Sequence, residues 1–228
     1  MALILNIDTS TTVCSVALAQ DGKIIGIKES NEGLNHSVLL GVYIDDILNS
    51  HHIHAAQLDA IAVSMGPGSY TGLRIGVSTA KGLCFGANKP LLAVPTLQAL
   101  ARSVADQLQE NALYCPMLDA RRMEVYTAFF DRDNHTILDT KAEIITADSF
   151  ADLLAAQKVY FFGNGSEKVK SILASPNACF IDQVETSARH LVPLSEELYQ
   201  QEQFVDTAYF EPFYLKDFIA TVPKKKII

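Results

Sequence analysis

Residues 66–86 read Gly-Pro-Gly-Ser-Tyr-Thr-Gly-Leu-Arg-Ile-Gly-Val-Ser-Thr-Ala-Lys-Gly-Leu-Cys-Phe-Gly. The short apolar run 60–65 before them is typical of a buried strand, and the sequence 66–68 indicates a sharp turn. Ser69 or Thr71 can cap a following helix, because each offers a side-chain oxygen to a free backbone N–H. The pattern therefore predicts a strand, a glycine turn and a helix over 69–86.

One side of that helix carries a row of small residues at a spacing of four: Gly72, Gly76, Ala80 and Cys84. Glycine inside a helix costs about 1 kcal/mol relative to alanine, so the row indicates that another backbone approaches closely. We interpret the row as the contact surface for a helix of a partner chain. The alternative is that Gly76 packs against the chain's own sheet.

The same turn has an alternative interpretation as a phosphate-binding loop, because helix N-termini present free N–H groups to anions. Its spacing does not fit. After Gly66 and Gly68 the next glycine is Gly72, one residue too late for Gly-x-Gly-x-x-Gly. No Gly-Lys-Ser/Thr follows either, so the motif does not favour nucleotide binding by this turn.

The composition is that of an ordinary globular protein, with 228 residues of which 49% are hydrophobic and 19% charged. No apolar run is long enough for a membrane span, so we expect no membrane partner. The four cysteines (Cys14, Cys84, Cys115 and Cys179) form no Cys-x-x-Cys pair. The sequence therefore predicts a reduced, cytoplasmic protein.

The charge balance argues against independent nucleic-acid binding. Lys and Arg number 18 against 26 acidic residues, for a net charge of −8, and the basic run 224–226 is interpreted as a solvated tail. Neutralising phosphates dominates nucleic-acid affinity, so we expect this chain to bind RNA weakly by itself. A role beside an RNA-binding partner stays open.

The order of predicted elements repeats. The first half reads as three strands, a helix, a strand, a helix and a strand, at 3–8, 13–19, 23–29, 34–48, 58–65, 69–86 and 91–94, followed by a helix at 96–109. The second half begins in the same way, with strands at 113–119, 124–130 and 136–145, a helix at 147–156, a strand at 158–162 and a helix at 166–174. After that Pro193 interrupts an otherwise helical pattern over 187–201. A βββαβαβ unit occurring twice predicts a duplicated α/β fold, divided into 1–105 and 106–228.

Several motifs closely resemble the TsaB (YeaZ) family: Ile7-Asp8-Thr9-Ser10, the block 66–76, Leu118-Asp119-Ala120-Arg121 with Glu124-Val125-Tyr126, Phe162-Gly163-Asn164-Gly165, and Pro212-Phe213-Tyr214-Leu215. The resemblance covers essentially the whole chain. It implies two tandem ribonuclease H-like (actin-like ATPase) domains. It also implies a non-catalytic partner of the transferase TsaD in making threonylcarbamoyladenosine in tRNA, with TsaE as a third component and tRNA bound only through the complex.

A metal site is not expected. Members of the TsaD family hold a metal through His-x-x-x-His on a helix, whereas here His36 is followed by Leu40 at the second position. One ligand without its partner makes a poor site, so we interpret His36 as a capping or surface histidine. His51, His52 and His54 are expected to lie in a solvated loop.

The resemblance to kinases of this fold leaves Asp8, Thr9 and Ser10 as weak nucleotide-binding candidates, although residues 9–12 contain no glycine. Asp8 can equally cap its turn. No tightly bound cofactor is expected, and ATP within the complex stays open. Two other functions also stay open: an ATP-dependent phosphotransferase or ATPase, and a peptidase, although no Gly-x-Ser-x-Gly or His-Glu-x-x-His motif is present. Asp119, Arg121 and Glu124 have two interpretations: a strand-end ion-pair cluster, which we favour, or a contact with a nucleotide or with TsaD at the interface.

The expected partner surface lies on the two N-terminal helices, which the resemblance pairs with the equivalent helices of TsaD, or with those of a second copy in its absence. Its predicted residues are Val38, Gly41, Val42, Asp45 and Leu48 on the first helix, and Gly72, Leu73, Gly76, Ala80 and Leu83 on the second. No catalytic residue is assigned.

Overall fold

The computed structural model describes residues 2–33 and 35–216. They form two five-stranded sheets built on the same plan. The first contains β1 (Leu3–Asp8), β2 (Cys14–Gln20), β3 (Lys23–Ser30), β4 (Ala60–Gly66) and β5 (Leu91–Pro95), in the order β3-β2-β1-β4-β5. Its helices are α1 (His36–Ser50), α2 (Tyr70–Ala87) and α3 (Thr96–Leu108).

The second sheet contains β6 (Leu113–Asp119), β7 (Glu124–Phe130), β8 (Thr136–Ile144), β9 (Val159–Phe162) and β10 (Ala178–Ile181), in the order β10-β9-β6-β7-β8. The helices in this half of the chain are α4 (Ala151–Ala156) and α5 (Ala188–Gln200). In both sheets the first three strands are antiparallel and the last two run parallel to the first. The predicted duplicated α/β fold is confirmed.

The second half departs from the prediction in four elements. The helix expected at 166–174 is reduced to a single 3-10 turn at Glu167–Val169, and β10 was not predicted. Helix α4 starts at Ala151, later than expected. Helix α5 continues through Pro193, which lacks an N–H to donate, because Leu191, Val192 and Leu194 are buried against the first sheet.

Two helices each pack on the sheet that belongs to the other half of the chain. Helix α5 packs on β1 and β2 of the first sheet, whereas α3 packs on β6 and β7 of the second. Leu97 and Leu100 of α3 belong to the same core as Tyr114 of β6. The predicted domain boundary between residues 105 and 106 falls between the two sheets and stays a prediction. The core that α3 shares with the second sheet contains residues from both sides of that boundary.

The other face of the first sheet is covered by α1 and α2, which share a core with Leu5 and Val63 of the central strands. Within residues 2–33 and 35–216, no helix has both the length and the apolar character needed to cross a bilayer. The basic run 224–226 lies outside the described residues.

Candidate partner interface

The glycine turn before α2 packs against the loop that follows β1. Ser69 N–H donates to the Ser10 carbonyl at 2.7 Å, and Gly72 N–H donates to Ser69 Oγ at 3.3 Å. A Cβ added to Gly68 would lie 2.4 Å from the Ser10 carbonyl oxygen. The Ser69 and Gly72 amides at this helix start therefore bond within the chain itself.

Asp8 is 2% exposed, and its Oδ1 accepts three hydrogen bonds. The donors are Ser10 N–H at 2.9 Å, Ser10 Oγ–H at 2.7 Å and Ser64 Oγ–H at 2.9 Å. Asp8 thus caps its turn, as one interpretation of the sequence predicts. Thr9 and Ser10 are equally buried, and the role of these three residues in nucleotide binding stays a prediction.

The row of small residues on α2 faces inward, and its interpretation as a surface for a partner helix is wrong. Gly72, Gly76 and Ala80 are all buried. A Cβ on Gly72 would lie 2.0 Å from the Thr9 carbonyl oxygen, and one on Gly76 would lie 2.3 Å from Thr9 Oγ1. A backbone does approach closely, but it belongs to the same chain.

Three other predicted interface residues also belong to the core. Leu48 and Leu73 are buried, and Leu83 is half-buried against the core that α1 and α2 share. Leu48 and Leu73 stabilise the fold of this chain and are closed to a partner, whereas Leu83 keeps part of its surface exposed.

The remaining predicted residues, Val38, Gly41, Val42 and Asp45, form an exposed face of α1. Val38 is 67% exposed and Val42 is 53% exposed. On α2, Phe85 is 89% exposed, and its neighbours Gly82 and Gly86, like Gly41 of α1, have no atom within 4 Å of an added Cβ. Sequence reasoning missed Gly82, Phe85 and Gly86, although Gly82 and Gly86 form a second pair of glycines at a spacing of four.

Two of the histidines lie differently from the expectation, whereas His52 and His54 are exposed in the loop after α1, as predicted. His36 is 3% exposed, with Nε2 at 2.8 Å from the Thr11 carbonyl oxygen, so it is neither a surface nor a capping residue. His51 is half-buried, with Nδ1 at 2.9 Å from the Ile47 carbonyl oxygen and Nε2 at 2.8 Å from that of Ile25. Among the described residues, no three His, Cys, Asp or Glu side chains are grouped closely enough to hold a metal ion.

The strand-end cluster after β6 is built from lysine pairs. Lys168 donates to Asp119, and Lys216 donates to Glu124. Burial alone would raise the pKa of Asp119, but the hydrogen bonds from Lys168 and from Arg121 N–H at 2.9 Å hold it below its ordinary value. The ion-pair interpretation is confirmed for Asp119 and Glu124, with lysines instead of Arg121 as the cations.

The segment 206–216 runs along α2 and ends beside this cluster. Lys81 Nζ donates to the carbonyls of Ala208 and Phe210, and the rings of Tyr70 and Tyr214 lie 4.9 Å apart. Phe213 N–H donates to the Met65 carbonyl at 2.7 Å. This segment covers α2 near Tyr70 and Lys81, and it leaves Gly82, Phe85 and Gly86 exposed.

Comparison with known proteins agrees with the geometry. Residues 22–224 match the family model described as TsaD, tRNA N6-adenosine threonylcarbamoyltransferase. The tRNA threonylcarbamoyladenosine biosynthesis protein TsaB of Haemophilus influenzae is 28% identical over 94% of this chain and 93% of its own length.

Solved structures share the fold. YeaZ from Pseudomonas aeruginosa superposes with a TM-score of 0.81 at 28% identity, covering 94% of this chain and all (100%) of that one. The activator of the 2-hydroxyisocaproyl-CoA dehydratase from Clostridium difficile gives a TM-score of 0.53 at 8% identity over 88% of this chain and 96% of that one, which shows the actin-like fold alone. By its sequence and its two-sheet architecture, the chain belongs to the TsaB (YeaZ) family.

Proposed function

We propose that this chain is the non-catalytic subunit that supports a TsaD-type transferase in forming threonylcarbamoyladenosine in tRNA, in the cytoplasm. The observation that carries this proposal is the exposed surface of α1 and α2 that contains Val38, Gly41, Val42, Gly82 and Phe85, here called the helix face. Relatives named for this pathway and a family model named for the transferase support the choice of reaction.

The helix face has the properties of a protein contact surface. Burying a Phe or Val side chain is worth about 1.5–3 kcal/mol, and three such side chains are left in water here. Gly41, Gly82 and Gly86 leave open space above the backbone, which lets another helix approach closely. Apolar anchors beside small residues favour a helical partner.

A TsaD-type protein fits this surface better than an unrelated chain. The family model named for the transferase matches residues 22–224, a range that includes α1 and α2. A protein of that family is therefore expected to present an equivalent helix pair, and the two pairs would form a four-helix interface. A second copy of this chain offers the same helices, so a homodimer in the absence of TsaD is the competing assembly.

The internal contacts of the first loop support a binding role over catalysis. Ser10 and Ser64 donate to the Asp8 carboxylate, Ser69 N–H donates to the Ser10 carbonyl, and Gly72 N–H donates to Ser69 Oγ. Catalysis and any ATP bound in the complex would then depend on groups from TsaD, with TsaE as the third component. This chain would supply the surface on which TsaD is held.

Depletion of the chain from its own cells, followed by mass analysis of tRNA nucleosides, tests the proposal. We expect threonylcarbamoyladenosine to fall and to be restored by the parent chain but not by Val42→Glu, which places a charge on the helix face. Ile137→Glu is the matched control, because Ile137 of β8 is 46% exposed and Val42 is 53% exposed. Unchanged nucleoside levels on depletion would overturn the proposed function.

A further inference from the structure

The loop between β6 and β7 holds two arginines in an unfavourable backbone conformation. Arg121 has φ of 72° and Arg122 has φ of 52°, both in the left-handed region. Ala120 N–H donates to the Glu124 carbonyl at 3.1 Å, and Glu124 N–H donates to the Arg121 carbonyl at 3.2 Å. The arginines therefore stand at the tip of a closed hairpin.

The backbone alone does not explain arginine at these positions. Glycine and asparagine adopt positive φ most readily, and they are the residues that tight hairpin turns favour. Both arginines are exposed, and within residues 2–33 and 35–216 neither guanidinium forms an ion pair. Two hydrogen bonds hold the loop in place. Arg121 N–H donates to Asp119 Oδ1, and Asp119 N–H donates to Asn164 Oδ1 at 3.0 Å.

The neighbouring carboxylates do not cancel the charge of the tip. Asp119 is paired with Lys168, and Glu124 with Lys216. With Arg121 and Arg122 included, the cluster carries four cationic and two anionic groups, a surplus of two positive charges on a chain whose net charge is −8. Because both carboxylates are paired with lysines, the guanidinium groups of Arg121 and Arg122 stay free to bind an external anion.

We propose that this hairpin binds the phosphate backbone of tRNA once the chain is assembled with its transferase partner. The inference rests on the proposed function and adds a direct RNA contact by this subunit. Guanidinium groups match phosphate oxygens in geometry and keep their charge at every physiological pH. Two contacts are too few for tight binding by an acidic chain alone, so they act as an addition to the affinity of the complex.

The test compares R121N/R122G with the parent in the complex with TsaD and TsaE, using a fluorescein-labelled transcript of the substrate tRNA. Each lost phosphate contact lowers the slope of log Kd against log salt by about 0.7–0.9. We expect the variant to bind tRNA more weakly and with a slope lower by about 1.4–1.8, which is twice that value. Its melting temperature should equal or exceed that of the parent, because asparagine and glycine suit positive φ.

K23N/R132N is the matched control, because it removes two exposed positive charges at other hairpin turns. It should keep the parent's affinity and salt slope. An R121N/R122G variant with the parent's slope, or a control with an equal loss, would overturn the inference. So would a variant whose defect is failure to co-purify with TsaD, since the hairpin would then be a protein contact. Failure of the parent itself to pair with TsaD would instead overturn the proposed function.

Discussion

Thr9 Oγ–H donates a 2.8 Å hydrogen bond to the Gly72 carbonyl, which fastens the loop after β1 to the first turn of α2. The same hydroxyl would lie 2.3 Å from a Cβ on Gly76. The glycines of this row thus make room for the chain's own loop. The outward side of α2, which includes the exposed residues Gly82, Phe85 and Gly86, is open to another molecule.

Gly76→Leu is expected to lower the melting temperature of the isolated chain. Its side chain would displace Thr9, and overpacking of this kind costs about 1–3 kcal/mol. Thermal unfolding followed by circular dichroism measures the effect. A melting temperature equal to the parent's would contradict the internal packing of this row.

Gly82→Leu is the matched substitution on the outward side of the same helix. No atom lies within 4 Å of an added Cβ, and leucine stabilises a helix relative to glycine by up to about 1 kcal/mol. We expect the isolated chain to melt at the parent's temperature or above. Its affinity for TsaD should fall tenfold to hundredfold, if separating the helices costs about 1.4–3 kcal/mol. Unchanged affinity would remove Gly82 from the interface.

The isolated chain is expected not to hydrolyse ATP above background. The Asp8 carboxylate is occupied by three internal donors, and Ser69 N–H already donates to Ser10. A phosphate-release assay on homogeneous protein measures the rate. Turnover that disappears in Asp8→Ala would show that the first loop supports phosphoryl chemistry after all.

Cysteine labelling checks the packing of both sheets. Burial and the nearby Asp8 charge raise the pKa of Cys14 to about 11, and burial raises that of Cys84 to about 12. Burial also raises the pKa of Cys115, whereas Cys179 of β10 is half-buried. Since the thiolate is the reactive form, a chromogenic disulfide at pH 8 should modify only Cys179 of the four cysteines before unfolding. Rapid reaction of Cys14 would contradict the burial of β2.

The sequence predicted the duplicated fold because the order of elements, three strands followed by alternating helices and strands, recurs in both halves. Local pattern could not predict that α5 returns to the first sheet, since that contact joins residues far apart in the chain. Pro193 also weakened the helical signal there, although burial of Leu191 and Leu194 outweighs the missing hydrogen bond.

The candidate site was predicted in part. Glycine spacing predicts a close approach at Gly72 and Gly76, but it does not reveal which part of which chain approaches. Here it is the loop at Thr9. On α1 the predicted interface included Val38 and Val42, which are exposed, and Leu48, which is buried. The sequence could not separate them, because a helix that is apolar on most sides does not show which side faces the core.

Titration of TsaD with this chain by calorimetry tests the helix face most directly. Phe85 is 89% exposed in the isolated chain, so Phe85→Glu should leave the fold intact. An aromatic anchor at the centre of an interface commonly contributes 2 kcal/mol or more, which corresponds to roughly a thirtyfold change in Kd. The account predicts saturable binding by the parent and at least a tenfold weaker Kd for Phe85→Glu. Equal affinity of the two proteins for TsaD would contradict it.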